Sequence, residues 1–228
     1  MKFKFFYVVI LFIFTTLTLI SCGSNQNALN GVWIGYVSEG SVFTDDGNIV
    51  FSISFFDDTC FLSAILKEGY VYETVKGNVS FEKDTCTIDF GNSSYIFSNQ
   101  YELKLKKGLL TVKNSKIELC FKKDDKMIAD SSLNGIWIAE NMPPLNFKIT
   151  KPLSDLTFAF IDKNNVYVEQ NGLGGCGNYN NETKSFTNNI FYYGTYELIN
   201  NELSVSFFVY LDGIRYDYQE EPVIFKRK

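Results

Sequence analysis

Apolar and polar residues alternate along most of this chain in short runs with a period of two. From Val50 to Phe55, Phe51, Ile53 and Phe55 alternate with Ser52 and Ser54; Leu203, Val205 and Phe207 alternate with Ser204 and Ser206 in the same way. That spacing puts one set of side chains on one face and predicts strands with a single apolar face. Turn-forming pairs punctuate the runs: Asp46-Gly47, Lys107-Gly108, Lys113-Asn114, Asn164-Asn165, Asn200-Asn201 and Asp212-Gly213. Short strands at this spacing predict an all-β fold in which antiparallel meanders close into small barrels or barrel-like sandwiches. No stretch is long enough for a major helix, and a turn of helix is expected at most near Pro143-Pro144 or Lys151-Pro152.

The pattern occurs twice. Leu29-Asn30-Gly31-Val32-Trp33-Ile34 returns as Leu133-Asn134-Gly135-Ile136-Trp137-Ile138, and the chain's two tryptophans fill the same slot. Gly77-Asn78-Val79 corresponds to Gly177-Asn178-Tyr179, and Tyr101-Glu102-Leu103 to Tyr196-Glu197-Leu198. Each half closes alike, with Cys120-Phe121-Lys122-Lys123 against Ile224-Phe225-Lys226-Arg227. Four matches in the same order make the chain a tandem duplication. The units are residues 29–123 and 133–228, joined by a polar linker over 124–132.

The N-terminus breaks the pattern. Lys2 and Lys4 precede an apolar run from Phe5 to Ile20, short for a transmembrane span, which needs about 20 apolar residues. The run ends at Leu19-Ile20-Ser21-Cys22, which resembles the lipobox of bacterial lipoproteins. The resemblance implies that 1–21 is a signal peptide and that Cys22 is acylated. It also makes 22–28 a tether and holds the protein to a membrane by acyl chains. No Asp follows Cys22, which points to the outer membrane of the cell envelope.

A second resemblance rests on the repeat. Leu-x-Gly-x-Trp at the start, a central Gly and a closing Tyr-x-Leu…Phe-Lys are similar to lipocalin-like domains of bacterial lipoproteins. In that family the Gly and Trp open the first strand and the Trp plugs the closed end of the barrel. Gly31, Trp33, Gly135 and Trp137 match those slots. The family implies a binding role for a small apolar or amphipathic ligand. Each unit is small for the family, so interiors filled by side chains are the other expectation, with an envelope or host protein as partner.

Composition narrows the chemistry. Without Lys2 and Lys4, 19 basic residues face 26 acidic ones, a net charge of −7 that argues against nucleic acid. There is no histidine, so histidine triads and the HExxH zinc site are excluded. A metal site would have to use carboxylates or thiolates, there is no Cys-x-x-Cys, and no enzyme, metal or cofactor is expected. Besides Cys22, the cysteines are Cys60, Cys86, Cys120 and Cys176. In an oxidising envelope they allow up to two disulfides, and Cys60–Cys86 is the favoured pair because Cys86 shares an inward face with Ile88 and Phe90. Asp57-Asp58 is expected to be a turn, Glu220-Glu221 a solvated loop, and Leu173–Gly177 a bulge or wide turn. Tyrosines with polar tips suit a pocket rim or contact surface, so Tyr70, Tyr72, Tyr192, Tyr193 and Tyr196 are the candidate ligand-binding residues.

Overall fold

The computed structural model describes residues 27–36, 49–66, 71–82, 85–91, 100–141 and 155–228. Eight antiparallel strands close the first barrel: β1 (Gly31–Tyr36), β2 (Ile49–Phe56), β3 (Thr59–Leu66), β4 (Val71–Glu82), β5 (Thr85–Asp89), β6 (Gln100–Lys106), β7 (Leu109–Lys113) and β8 (Glu118–Lys123). The last strand returns to the first, with Trp33 opposite Lys123. A short 3-10 turn, Asp125–Met127, follows, its N-terminus capped by the Asp124 carboxylate accepting from the Lys126 N–H.

The second unit repeats this order with β9 (Gly135–Asn141), β10 (Thr157–Phe160), β11 (Asn165–Gln170), β12 (Leu173–Asn180), β13 (Ser185–Asn188), β14 (Tyr192–Ile199) and β15 (Glu202–Leu211). It closes through β17 (Val223–Arg227) onto β9, with Trp137 opposite Arg227. Between them lies one addition, β16 (Ile214–Asp217), which pairs with the C-terminal half of β15 and extends that strand into a ribbon.

The sequence repeat is therefore a repeat of ladder positions. Gly77 and Gly177 both lie on the fourth strand of their unit, and Tyr101 and Tyr196 both lie on the sixth. Each tryptophan is buried, and its indole N–H donates to the carbonyl of the leucine four residues earlier: Trp33 to Leu29 at 2.7 Å and Trp137 to Leu133 at 2.9 Å. Gly31 and Gly135, opening these strands, have φ of 117° and 134°, a region that other residues rarely adopt. Three expected turns, Lys107-Gly108, Asn200-Asn201 and Asp212-Gly213, have positive φ at both residues, as tight hairpins of this hand need. Asp57-Asp58 is the two-residue turn between β2 and β3, and Glu220 and Glu221 are exposed. Asp46-Gly47 and the proline pairs at 143–144 and 151–152 lie outside the described residues.

Side chains fill both barrels. Phe51, Ile53, Phe55, Leu62, Ile88, Tyr101 and Phe121 build the first core around Trp33; Phe158, Phe160, Phe186, Phe207 and Phe225 build the second around Trp137. Edge-to-face pairs such as Phe158–Phe186, with centroids 4.9 Å apart, pack the rings of the second core against one another.

The barrels meet through their outer faces. Phe56, Phe61, Ile136, Ala159, Ile161 and Tyr167 form a separate apolar cluster drawn from both units. Phe61 and Tyr167 are equivalent positions, each two residues beyond the start of β3 or β11, and their rings touch. Phe56 and Ile161 are equivalent as well, each following the residue opposite Gly31 or Gly135. The contact thus has the self-complementary character of an isologous dimer interface. Around it, Ser52, Ser54, Ser63 and Thr74 are buried although they alternate with core residues, and Ser63 and Thr74 hydrogen-bond to each other at 2.9 Å. Lys76 reaches across to both carboxylate oxygens of Glu169, at 3.0 and 3.2 Å, and Lys228 reaches Asp58 at 3.1 Å.

The glycine-rich segment corrects an expectation. Leu173–Gly177 is neither bulge nor wide turn but part of β12, in unbroken register with β11. Neighbours approach too closely for side chains: a Cβ on Gly174 would lie 1.7 Å from the Tyr167 hydroxyl, and one on Gly177 1.6 Å from the Thr187 carbonyl oxygen. The glycines are required by packing.

Candidate functional site

Cys22 and the segment resembling a lipobox lie outside the described residues, as does Tyr70, and nothing is described of the side chains of Tyr72 and Tyr192. Among the described residues, no helix is long and apolar enough to cross a membrane, and no group of three or more cysteine or acidic side chains is placed to hold a metal.

The thiols are ill suited to chemistry. Cys60 is a free, fully buried thiol whose pKa burial pushes far up; Cys86 packs against the same core and is its electrostatic neighbour. Cys86 is on the inward face with Ile88 and Phe90, as its strand pattern implies. Cys176 is also a buried free thiol; it faces Thr74 across the junction between barrels, and burial again raises its pKa. A thiol in this setting is a poor nucleophile. Among the described residues, Asp162 is the one fully buried carboxylate; it receives N–H groups from Asn164 and Asn165 and the Asn165 amide, so its bonds hold the β10–β11 connection.

Of the candidate tyrosines, the two whose side chains are described, Tyr193 and Tyr196, face opposite sides of their strand. Tyr196 belongs to the second core: it is 3% exposed, touches Phe160 and Tyr179 edge-on, and burial pushes its hydroxyl up to about 12. Tyr193, three residues earlier on β14, faces the opposite side and is 40% exposed.

Tyr193 opens onto a surface that the alternation rule did not mark. It stacks on Phe208 directly opposite on β15, at 6.0 Å and 12° between ring planes, and meets Tyr210 edge-on at 5.4 Å. The Arg215 guanidinium covers Phe208 at 3.9 Å and is itself paired with Asp217. On the other face of the ribbon, Val209 lies opposite Tyr216 and Leu211 opposite Ile214. Tyr210, Leu211 and Ile214 are 49%, 53% and 58% exposed, so the β15–β16 ribbon is apolar on both faces. The sequence signal was the run Phe207-Phe208-Val209-Tyr210-Leu211, which carries no period-two gap. Against known proteins, the chain matches no protein-family model, no curated protein and no solved structure.

Proposed function

We propose that this protein is a lipid-anchored envelope lipoprotein of lipocalin-like build that acts as a non-enzymatic interaction module. Its docking element is the β15–β16 ribbon of the second barrel. The observation that carries this reading is that ribbon, a projecting, two-sided apolar element with no counterpart among the described residues of the first barrel. Exposed aromatics beside aliphatic side chains are the usual material of a protein-contact core. The packed interiors support the same reading, because the side chains occupy the space a lipocalin-type ligand would take. A protein partner fits the ribbon better than a lipid surface does. Asp212 stands at the turn, where insertion would carry it deepest, and the mature chain bears net negative charge. Acyl chains on Cys22 would keep the module at the envelope, with the outer membrane as its expected site.

A photoreactive residue at Ile214 tests the docking element in the producing cell's envelope. One discrete adduct, lost on Tyr210→Ser with Leu211→Ser, is the expected result. The same adducts from a probe at Thr111, outside the ribbon, would count against it. Labelled fatty acid incorporated into the wild type but not into Cys22→Ser tests the anchor separately.

A further inference from the structure

Between the barrels lies a cleft of about 210 Å³, bounded by the openings of β1 and β9. The repeated Asn-Gly pairs, Asn30-Gly31 and Asn134-Gly135, both reach it. Its apolar lining includes Phe56 and the buried Ile136. Lys228 is committed to Asp58, a bridge that ties the barrels together beside the cleft. Of the other polar groups, Asn30 and Asp57 bond each other, the Asn30 side-chain oxygen accepting from the Asp57 backbone N–H at 3.2 Å. Among the described residues Asp57 forms no ion pair, and its carboxylate receives only a 3.4 Å hydrogen bond from the Asn30 amide. Among the described residues the Asn134 side chain has no hydrogen-bond partner. Arg227 stacks on Trp137 at 4.7 Å and gives one N–H to the Ser132 carbonyl, and among the described residues it pairs with no carboxylate.

A carboxylate without an ion pair, a guanidinium with N–H groups to spare, the Asn134 amide and an apolar lining in one cleft are the complement of a small zwitterion with an apolar side. We propose that the cleft binds a free α-amino acid with an apolar side chain. Its ammonium pairs with Asp57, its carboxylate with Arg227 and Asn134, and its side chain lies on Phe56 and Ile136. The stacked guanidinium is held in position for carboxylate recognition by its planar fork. The volume corresponds to about seven water molecules at about 30 Å³ each, which suits one amino acid and not a drug-sized ligand. Binding here needs neither an empty barrel nor the β15–β16 ribbon.

Calorimetric titration of the purified protein with L-leucine, N-acetyl-leucine and leucinamide tests the site. L-leucine is expected to bind saturably with Kd about 1 mM or tighter. The acetylated compound, lacking the ammonium, and the amide, lacking the carboxylate, are each expected to bind at least tenfold more weakly. Arg227→Lys is a gentle change, since Lys123 already fills the equivalent slot over Trp33. It should weaken leucine about tenfold and leave leucinamide unchanged. Asp57→Asn, compatible with the positive φ there, should weaken leucine and leave N-acetyl-leucine unchanged. Absence of saturable leucine binding, equal binding of the three compounds, or variants that bind as the wild type does would each overturn the proposal.

Discussion

Phe61 and Tyr167, the same position in two copies of one unit, meet with their ring centroids 5.0 Å apart and so hold the barrels together. Both are buried, at 1% and 4% exposure. Phe61→Ala should cost about 3 kcal/mol or more, the usual range for an emptied aromatic site. In a double-mutant cycle with Tyr167→Ala, a coupling of about 1 kcal/mol is expected in urea unfolding. Because each barrel keeps its own core, the variants should also be cut faster by protease in the 124–132 connection. Cleavage unchanged from the wild type would show that the pair does not hold the barrels together.

The two indoles make the same bond and should respond alike. Trp33→Phe or Trp137→Phe leaves a buried leucine carbonyl without its donor, at a cost of about 2 kcal/mol each. Thermal unfolding of the two single variants should show similar losses in the barrel affected. A negligible loss in either would mean that the bond contributes little.

Gly77 and Gly177 are equivalent in the ladder but not in what surrounds them. A Cβ on Gly77 would lie 2.7 Å from Ile88 and Phe90 side-chain atoms, which can shift; one on Gly177 would meet backbone. Gly77→Ala should cost about 1–3 kcal/mol, the usual range for overpacking. Gly177→Ala should cost more, since backbone has to move, and soluble yield after expression together with denaturant midpoints would rank them.

Asp58 carries the pH dependence of the junction. Its hydrogen bond from Lys228, and then that from Thr59, hold its carboxyl below the ordinary 3.8. A carboxylate whose folded pKa is lowered adds stability above the ordinary value and loses it as pH falls through the folded one. The bridge should therefore be intact at neutral pH and lost below about pH 4. Both groups are well exposed, so its contribution stays under about 1 kcal/mol. Lys228→Gln should flatten the stability curve in that acid window, measured by urea midpoints across pH, and leave it unchanged at lower pH.

Much of the fold was legible because the repeat carries its own anchors. Trp33 and Trp137, the two glycines before them and the closing Phe-Lys pairs each recur at one ladder position, so order along the chain translated directly into strand order. The junction was not legible, for a physical reason. Ser52, Ser54, Ser63 and Thr74 look like the solvent face of a half-buried strand, yet their small side chains let two barrels approach. Alternation reports which residues share a face and is silent on what covers that face. The glycines of β12 were misread for a related reason: composition signals a turn, whereas the close approach of Tyr167 and Thr187 comes from strands distant in sequence. The tyrosine candidates show the same limit, since Tyr193 and Tyr196 share a strand but face opposite sides.

The pairing of equivalent positions at the junction has a consequence for how the protein could diverge. Joined by a linker of a few residues, the second unit is held near the first at an effective concentration in the millimolar range or above. A small apolar patch that would be too weak to hold two separate chains is then sufficient. Each half is also released from having to match itself. In a homodimer every insertion would appear twice; here β16 could be added to one half alone, leaving a single, directional attachment edge on an otherwise symmetric core.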